Sequence, residues 1–208
     1  MDQYQRYAAE IKETLDSLPW PEIDQMVEHL HRARLEDRQV FVMGNGGSAA
    51  TASHMACDIG KNTVMPNHAR FRVMALTDNM ATFSAHANDA GYENVFAEQL
   101  ANFLRPDDIV IAISTSGNSP NVIKAVQLAN DHGALTIGWT GYTGGELAQM
   151  VDVSIVVDND CVEQIEDIHL MLEHMATVAL RRAIREDVAL ELAELATSAG
   201  TNGVVNHA

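Results

Sequence analysis

Apolar positions set the elements of this chain, and their spacing changes along it. Over residues 3–17, Tyr4, Tyr7, Ala8, Ile11 and Leu15 recur at helical spacing, and Asp16-Ser17 with Pro19 and Pro21 end that helix. A second helix is predicted over 21–36, with Ile23, Met26, Val27, Leu30 and Ala33 on one stripe. Both stripes need partners, which either the chain's own sheet or another subunit would provide.

The spacing then gives way to short continuous apolar runs. Val40-Phe41-Val42-Met43 ends in Gly44-Asn45-Gly46-Gly47-Ser48, and a helix follows over 49–61. Arg72-Val73-Met74-Ala75-Leu76 ends in Thr77-Asp78-Asn79. Ile109-Val110-Ile111-Ala112-Ile113 ends in Ser114-Thr115-Ser116-Gly117-Asn118-Ser119, with a helix over 120–132 behind it. Leu135-Thr136-Ile137-Gly138-Trp139 runs into Thr140-Gly141-Tyr142-Thr143-Gly144-Gly145, and Val153-Ser154-Ile155-Val156-Val157 is the fifth run. A long helix is predicted from about 162 to beyond 185, and 197–208 reads as a flexible tail. Apolar strands alternating with helices imply a parallel sheet covered on both faces, a doubly wound three-layer α/β/α domain. We expect one domain over 1–196, with N-terminal helices over 1–37 and the α/β core over 38–196.

Charge narrows the function. The 208 residues carry 29 acidic and 13 basic side chains, a formal net charge of −16. Such a surface repels nucleic acid and anionic membranes, so neither is an expected partner. A bound phosphate would have to be held locally, by backbone N–H groups and hydroxyls. Cys57 and Cys161 form no disulfide framework. The polar start is unlike a signal peptide and no run is long enough to span a membrane, so the expected compartment is the cytoplasm.

Two strand ends have the composition for holding an anion. Ligands of open α/β sheets sit beyond the carboxyl ends of the strands. In GNGGSA at 44–49 the glycines let backbone amides approach an anion, and the following helix adds its free N–H groups and dipole. STSGNS at 114–119 adds four hydroxyls and an amide before another helix. The first loop lacks the Lys of a P-loop. It fits the G-x-G-x-x-A form of a dinucleotide loop, but no clear acidic residue ends a strand about 20 residues on. Helix capping by Ser116 or Ser119 is the plainer reading of the second loop, and it uses one hydroxyl rather than four.

These loops, with AND at 87–89, TGYTGGELA at 140–148 and IEDIHLMLEH at 165–174, resemble the sugar isomerase (SIS) domain family, and within it the phosphoheptose isomerases. The resemblance spans roughly residues 20–185. It implies a five-stranded parallel sheet between helices, a homotetramer with active sites at subunit interfaces, and a bound zinc ion. The implied reaction converts sedoheptulose 7-phosphate to D-glycero-D-manno-heptose 7-phosphate. By motif, Asn45, Gly46, Gly47, Ser48, Asn88, Asp89 and Glu166 would meet the substrate, and Ser114, Thr115, Ser116 and Ser119 would hold its phosphate.

His54 and Asp58, four residues apart, share a helix face just after the first loop. Of the acidic and histidine cluster over 163–174, much is expected to be solvated helix surface. Glu166 and His174 match the family's ligand positions, so the expected zinc set is His54, Asp58, Glu166 and His174, an N₂O₂ group acceptable to zinc. Eight residues of helix rise about 12 Å, so Glu166 and His174 converge only if the side chains lean together, the helix starts irregularly, or two subunits contribute. The chain also departs from the family: Asp58 stands where a Glu is expected, and Glu166 where a Gln is. Moving a proton between C1 and C2 through an enediol needs a base, an acid and support for the oxyanion. His174 and one of Asp58 or Glu166 are the expected movers. A phosphosugar sensor, or an adaptor for a replication initiator, is the competing class, and an isomerase of another sugar phosphate is a third. Cys57 reads as a packed core thiol, and His68, Arg70 and Arg72 as solvated loop residues.

Overall fold

The computed structural model describes residues 2–201. Helices α1 (Gln3–Asp16) and α2 (Trp20–Leu35) precede β1 (Gln39–Gly44) and α3 (Gly47–Asn62). Then come β2 (Arg72–Ala75), α4 (Met80–Asp89), a 3-10 turn (Tyr92–Asn94), α5 (Ala97–Phe103), β3 (Ile109–Ser114) and α6 (Pro120–Asp131). The chain continues through β4 (Leu135–Gly141), α7 (Leu147–Met150), β5 (Val153–Val157) and α8 (Val162–Thr201). The five strands form one parallel sheet in the order β2-β1-β3-β4-β5. Helix α8 runs through Thr201, past the expected start of a tail at 197; residues 202–208 lie outside the described residues.

Alternation along the strands makes the three layers. Val40, Val42, Ile109, Ile111 and Ile113 face the side covered by α2, α3 and α8, where Met26, Leu30, Met55, Ile59, Ile168 and Leu172 are buried. Phe41, Met43, Val110 and Ala112 face the other side, against Phe96, Leu100, Val122, Val126 and Leu147. The stripe of α2 therefore finds its partner within the subunit. Helix α1 does so only in part: Ile11 and Leu15 pack on the core edge, while Tyr4 is 73% exposed.

Strand order fixes the site. The chain leaves β1 toward β2 on one side and leaves β3 toward β4 on the other, so β1 and β3 flank the topological switch point. Gly44 pairs with Ile113, which brings the loop after β1 beside the loop after β3.

Apolar spacing assigns no element over 80–108, where the structure has α4, the 3-10 turn and α5. Helix α4 buries no residue fully and owes its start to Asn79, whose side chain accepts from the Thr82 amide. An element lying on the surface leaves little apolar period to find.

Two features of α8 and α3 correct the sequence expectation. Cys57 is exposed rather than packed in the core. The cluster on α8 is not all solvated surface: His169 is 1% and Glu173 0% exposed. His169 lies beside Trp139, with ring centroids 6.0 Å apart, and its Nε2 is 3.2 Å from the Thr140 carbonyl oxygen, which selects the tautomer that donates there. Burial pushes its pKa down to about 4. An unfolded His titrates near 6.5, so over the window from about 6.5 down to about 4 only the unfolded chain takes up this proton. Stability therefore falls as pH drops through that window, by at most about 3 kcal/mol from this group. The variant His169→Gln is expected to flatten the pH profile of urea midpoints there; an unchanged slope would remove His169 as the cause.

Candidate active site

The switch point holds a cavity of about 220 Å³ lined by Asn45, Ser48, Ser114, Thr115, Ser116, Ser119 and Glu166, with Ile113, Tyr142 and Val162. Both loops singled out in the sequence thus contribute to one pocket. Two helices open on it, α3 after Gly46 and α6 after Ser119; neither of these cap residues makes a side-chain capping hydrogen bond, though in α6 the Val122 amide donates to Asn121 Oδ1. The hydroxyls are engaged otherwise. Ser114 and Ser119 share a 3.2 Å contact between their Oγ atoms, and Ser116 Oγ accepts from the Asn118 amide. The uncapped first-turn amides of α3, with hydroxyls on the pocket wall, suit an anion; α6 adds less, because Pro120 has no N–H.

Backbone bonds hold the second loop in shape. Gly141 N–H donates to the Thr115 carbonyl, Leu147 N–H to that of Gly117, and Glu146 N–H to Asn118 Oδ1. Gly117, at φ +64°, lies so close to the Gly144 carbonyl that a Cβ there would overlap backbone. TGYTGGELA therefore buttresses STSGNS, and Tyr142 from the same segment lines the pocket.

Asn45 is fixed by two residues that sequence reasoning missed. Its Nδ2 donates to Asn121 Oδ1 at 2.9 Å, while its Oδ1 accepts from Asn121 Nδ2 at 2.8 Å and from the Tyr92 hydroxyl at 2.9 Å. Asn121 follows Pro120 directly after STSGNS, a polar residue inside the first turn of a helix, and that position was its signal. Tyr92 had none. Asn88 and Asp89 are not in the pocket: they are exposed at the end of α4, and Asn88 Nδ2 donates to Asp89 Oδ1. Gly46 and Gly47 are exposed at its rim, and a Cβ on Gly47 would fall on the Glu166 carboxylate. Glu166 makes no hydrogen bond or ion pair among the described residues.

A second group lies farther along α3 and α8. Ligand atoms of His54, Asp58, Glu173 and His174 all fall within 4.8 Å of one another. His54 and His174 meet edge to face with ring centroids 5.0 Å apart, and His54 Nε2 is 3.7 Å from Asp58 Oδ2. Three of the four residues expected to hold zinc are thus together, and the fourth member of the group is Glu173 rather than Glu166. Helix α8 is continuous from Val162, so the rise between Glu166 and His174 stays near 12 Å, and within one subunit Glu166 belongs to the pocket. Burial pushes the Glu173 carboxyl above the usual carboxylate range, against the opposing effects of His174 and of the Thr177 hydroxyl that donates to it at 3.1 Å.

The basic residues near 68–72 stay away from this end. Arg72 Nη1 donates to the Asp37 carbonyl just before β1, at the opposite end of the strands from the pocket, and His68 Nδ1 is 3.6 Å from Glu191.

Known proteins carry this arrangement. The family model described as SIS domain matches residues 3–141. A phosphoheptose isomerase of Geotalea daltonii is 37% identical over 164 residues, covering 79% of this chain and 85% of that protein. One from Rhodospirillum rubrum is 39% identical over 137 residues, covering 66% and 72%. The structure of a phosphoheptose isomerase from Francisella tularensis superposes with a TM-score of 0.81 at 30% identity, over 87% of this chain and 96% of that one. With the uncapped switch-point pocket already in place, these matches show that the chain belongs to the SIS domain family, among the phosphoheptose isomerases.

Proposed function

We propose that the protein interconverts sedoheptulose 7-phosphate and D-glycero-D-manno-heptose 7-phosphate through an enediol. One observation carries this reading: a cavity of about 220 Å³, walled by hydroxyls and the uncapped start of α3, borders the same helix as an imidazole–carboxylate group about two turns away. An open-chain heptose phosphate has its phosphate at one end and its reacting carbons at the other. Six C–C bonds of about 1.5 Å give it a contour of roughly 9 Å, comparable with the distance along α8.

In this reading Ser114, Thr115, Ser116 and Ser119, with the amides opening α3, hold the phosphate, and Asn45, Gly46, Gly47 and Ser48 line the way out. Asn88 and Asp89 would meet the substrate from a neighbouring subunit, as the family's interfacial sites imply. Asp58, the carboxylate beside His54 and His174 at the reacting end, takes the proton from one carbon and returns it to the next, while Glu166 lines the pocket and meets the sugar near its phosphate. His174 acts on the oxygen side, where its half-exposed imidazole donates toward the developing enediolate. His54, Asp58 and His174 are the residues that would hold zinc, and the donor set suits it. Bound there, the ion would supply polarisation of the carbonyl.

A homotetramer agrees with the exposed apolar residues Tyr4 on α1 and Met171 and Val178 on α8. No helix among the described residues is long and apolar enough to cross a membrane. The test offers the purified protein sedoheptulose 7-phosphate, the unphosphorylated sugar and other ketose phosphates, and follows isomerisation by NMR. The heptose phosphate should turn over and the free sugar should not. Tight binding of a sugar phosphate without turnover would instead identify a sensor.

A further inference from the structure

The buried carboxylate of Glu173 has no role in the scheme above, and its surroundings point to one. Its side chain is 0% exposed. Oε1 accepts from the Thr177 hydroxyl at 3.1 Å, which fixes the orientation of the group. Oε2 is buried without a hydrogen bond. It lies 3.3 Å from His174 Nε2 and within the same 4.8 Å group as the ligand atoms of His54 and Asp58. No Lys or Arg pairs with Glu173 among the described residues. A carboxylate held away from water with one oxygen unmatched is costly, and such groups are normally paired or bound to a metal.

We propose that Glu173 is the fourth ligand of a divalent-cation site completed within one subunit by His54, Asp58 and His174, and that Glu166 is thereby left to the sugar. Two neutral imidazoles and two carboxylates balance a doubly charged ion, so binding removes the mismatch that burial of Glu173 creates. Glu166 lies seven residues earlier on a continuous helix, about 10 Å along its axis. Thr177 supplies the outer hydrogen bond that orients ligating carboxylates. The inference rests on the zinc reading of the site but not on turnover.

The test is a cobalt(II) titration of the metal-stripped full-length protein, followed by its visible absorption, for the wild type and for Glu166→Gln and Glu173→Gln. Wild type and Glu166→Gln are expected to bind one ion per subunit with similar affinity. Glu173→Gln should weaken binding by about 100-fold or more, and Thr177→Val by about 10-fold. Glu173→Leu provides a check on folding: without metal it should melt above the wild type, and cobalt should not raise it further. Unchanged affinity in Glu173→Gln, or its loss in Glu166→Gln instead, would overturn the assignment. Wild-type turnover of sedoheptulose 7-phosphate is measured separately, so a protein that binds cobalt through Glu173 but isomerises nothing refutes the enzyme reading alone.

Discussion

His174→Ala is expected to lose isomerisation by about 10²- to 10⁴-fold while binding sugar phosphate nearly as well as the wild type. The imidazole is half exposed and lies against His54 and Glu173, at the far end of the run from the hydroxyl loop. None of the residues lining the phosphate pocket touches it. The change also leaves the core intact, because Leu172 and Ala176, not His174, face the sheet side. Calorimetry with sedoheptulose 7-phosphate beside a turnover assay separates the two effects. Full activity in the variant would remove His174 from the chemistry, and loss of binding would mean that the two ends of the site are not independent.

Gly47→Ala should be nearly as damaging to turnover and yet leave the protein folded. Its Cβ would land on the Glu166 carboxylate, the end of a flexible side chain that is able to swing aside. Gly47 opens α3 without a positive φ, and Ala is the better helix former by up to about 1 kcal/mol, so stability should hold or rise slightly. The displaced carboxylate is the cost: misplacing a substrate-positioning group by about 1 Å lowers rates by about 10²-fold. Thermal melts and kcat on the same preparation give the answer. A variant with normal kcat would show that Glu166 need not sit against Gly47.

Most of the fold was legible because buried parallel strands write themselves as continuous apolar runs. Val40–Met43 and Ile109–Ile113 fall inside β1 and β3, and the loops that follow them meet in one pocket because those strands are neighbours. The path over 80–108 was not legible, since α4 lies on the surface and buries nothing fully, and α5, though it buries Leu100, is only 7 residues long. The metal group was half legible. His54 and Asp58 announce themselves by i, i+4 spacing, whereas Glu173 looks like one more charged position on a helix rich in them. Only packing shows that α8 turns this carboxylate inward, beneath His54 and His174. Tyr92 is an extreme case: its hydroxyl reaches Asn45 across 47 positions of sequence, a contact that no local pattern encodes.

The account predicts that a strongly acidic protein holds a sugar phosphate by amides and hydroxyls and moves a proton between adjacent carbons of that sugar. The most direct measurement is NMR of sedoheptulose 7-phosphate incubated with the enzyme in D₂O. The aldose phosphate should form with deuterium at C2, because a proton taken by the partly exposed Asp58 carboxylate exchanges with solvent. A substrate that stays bound, unconverted and without deuterium would contradict the account.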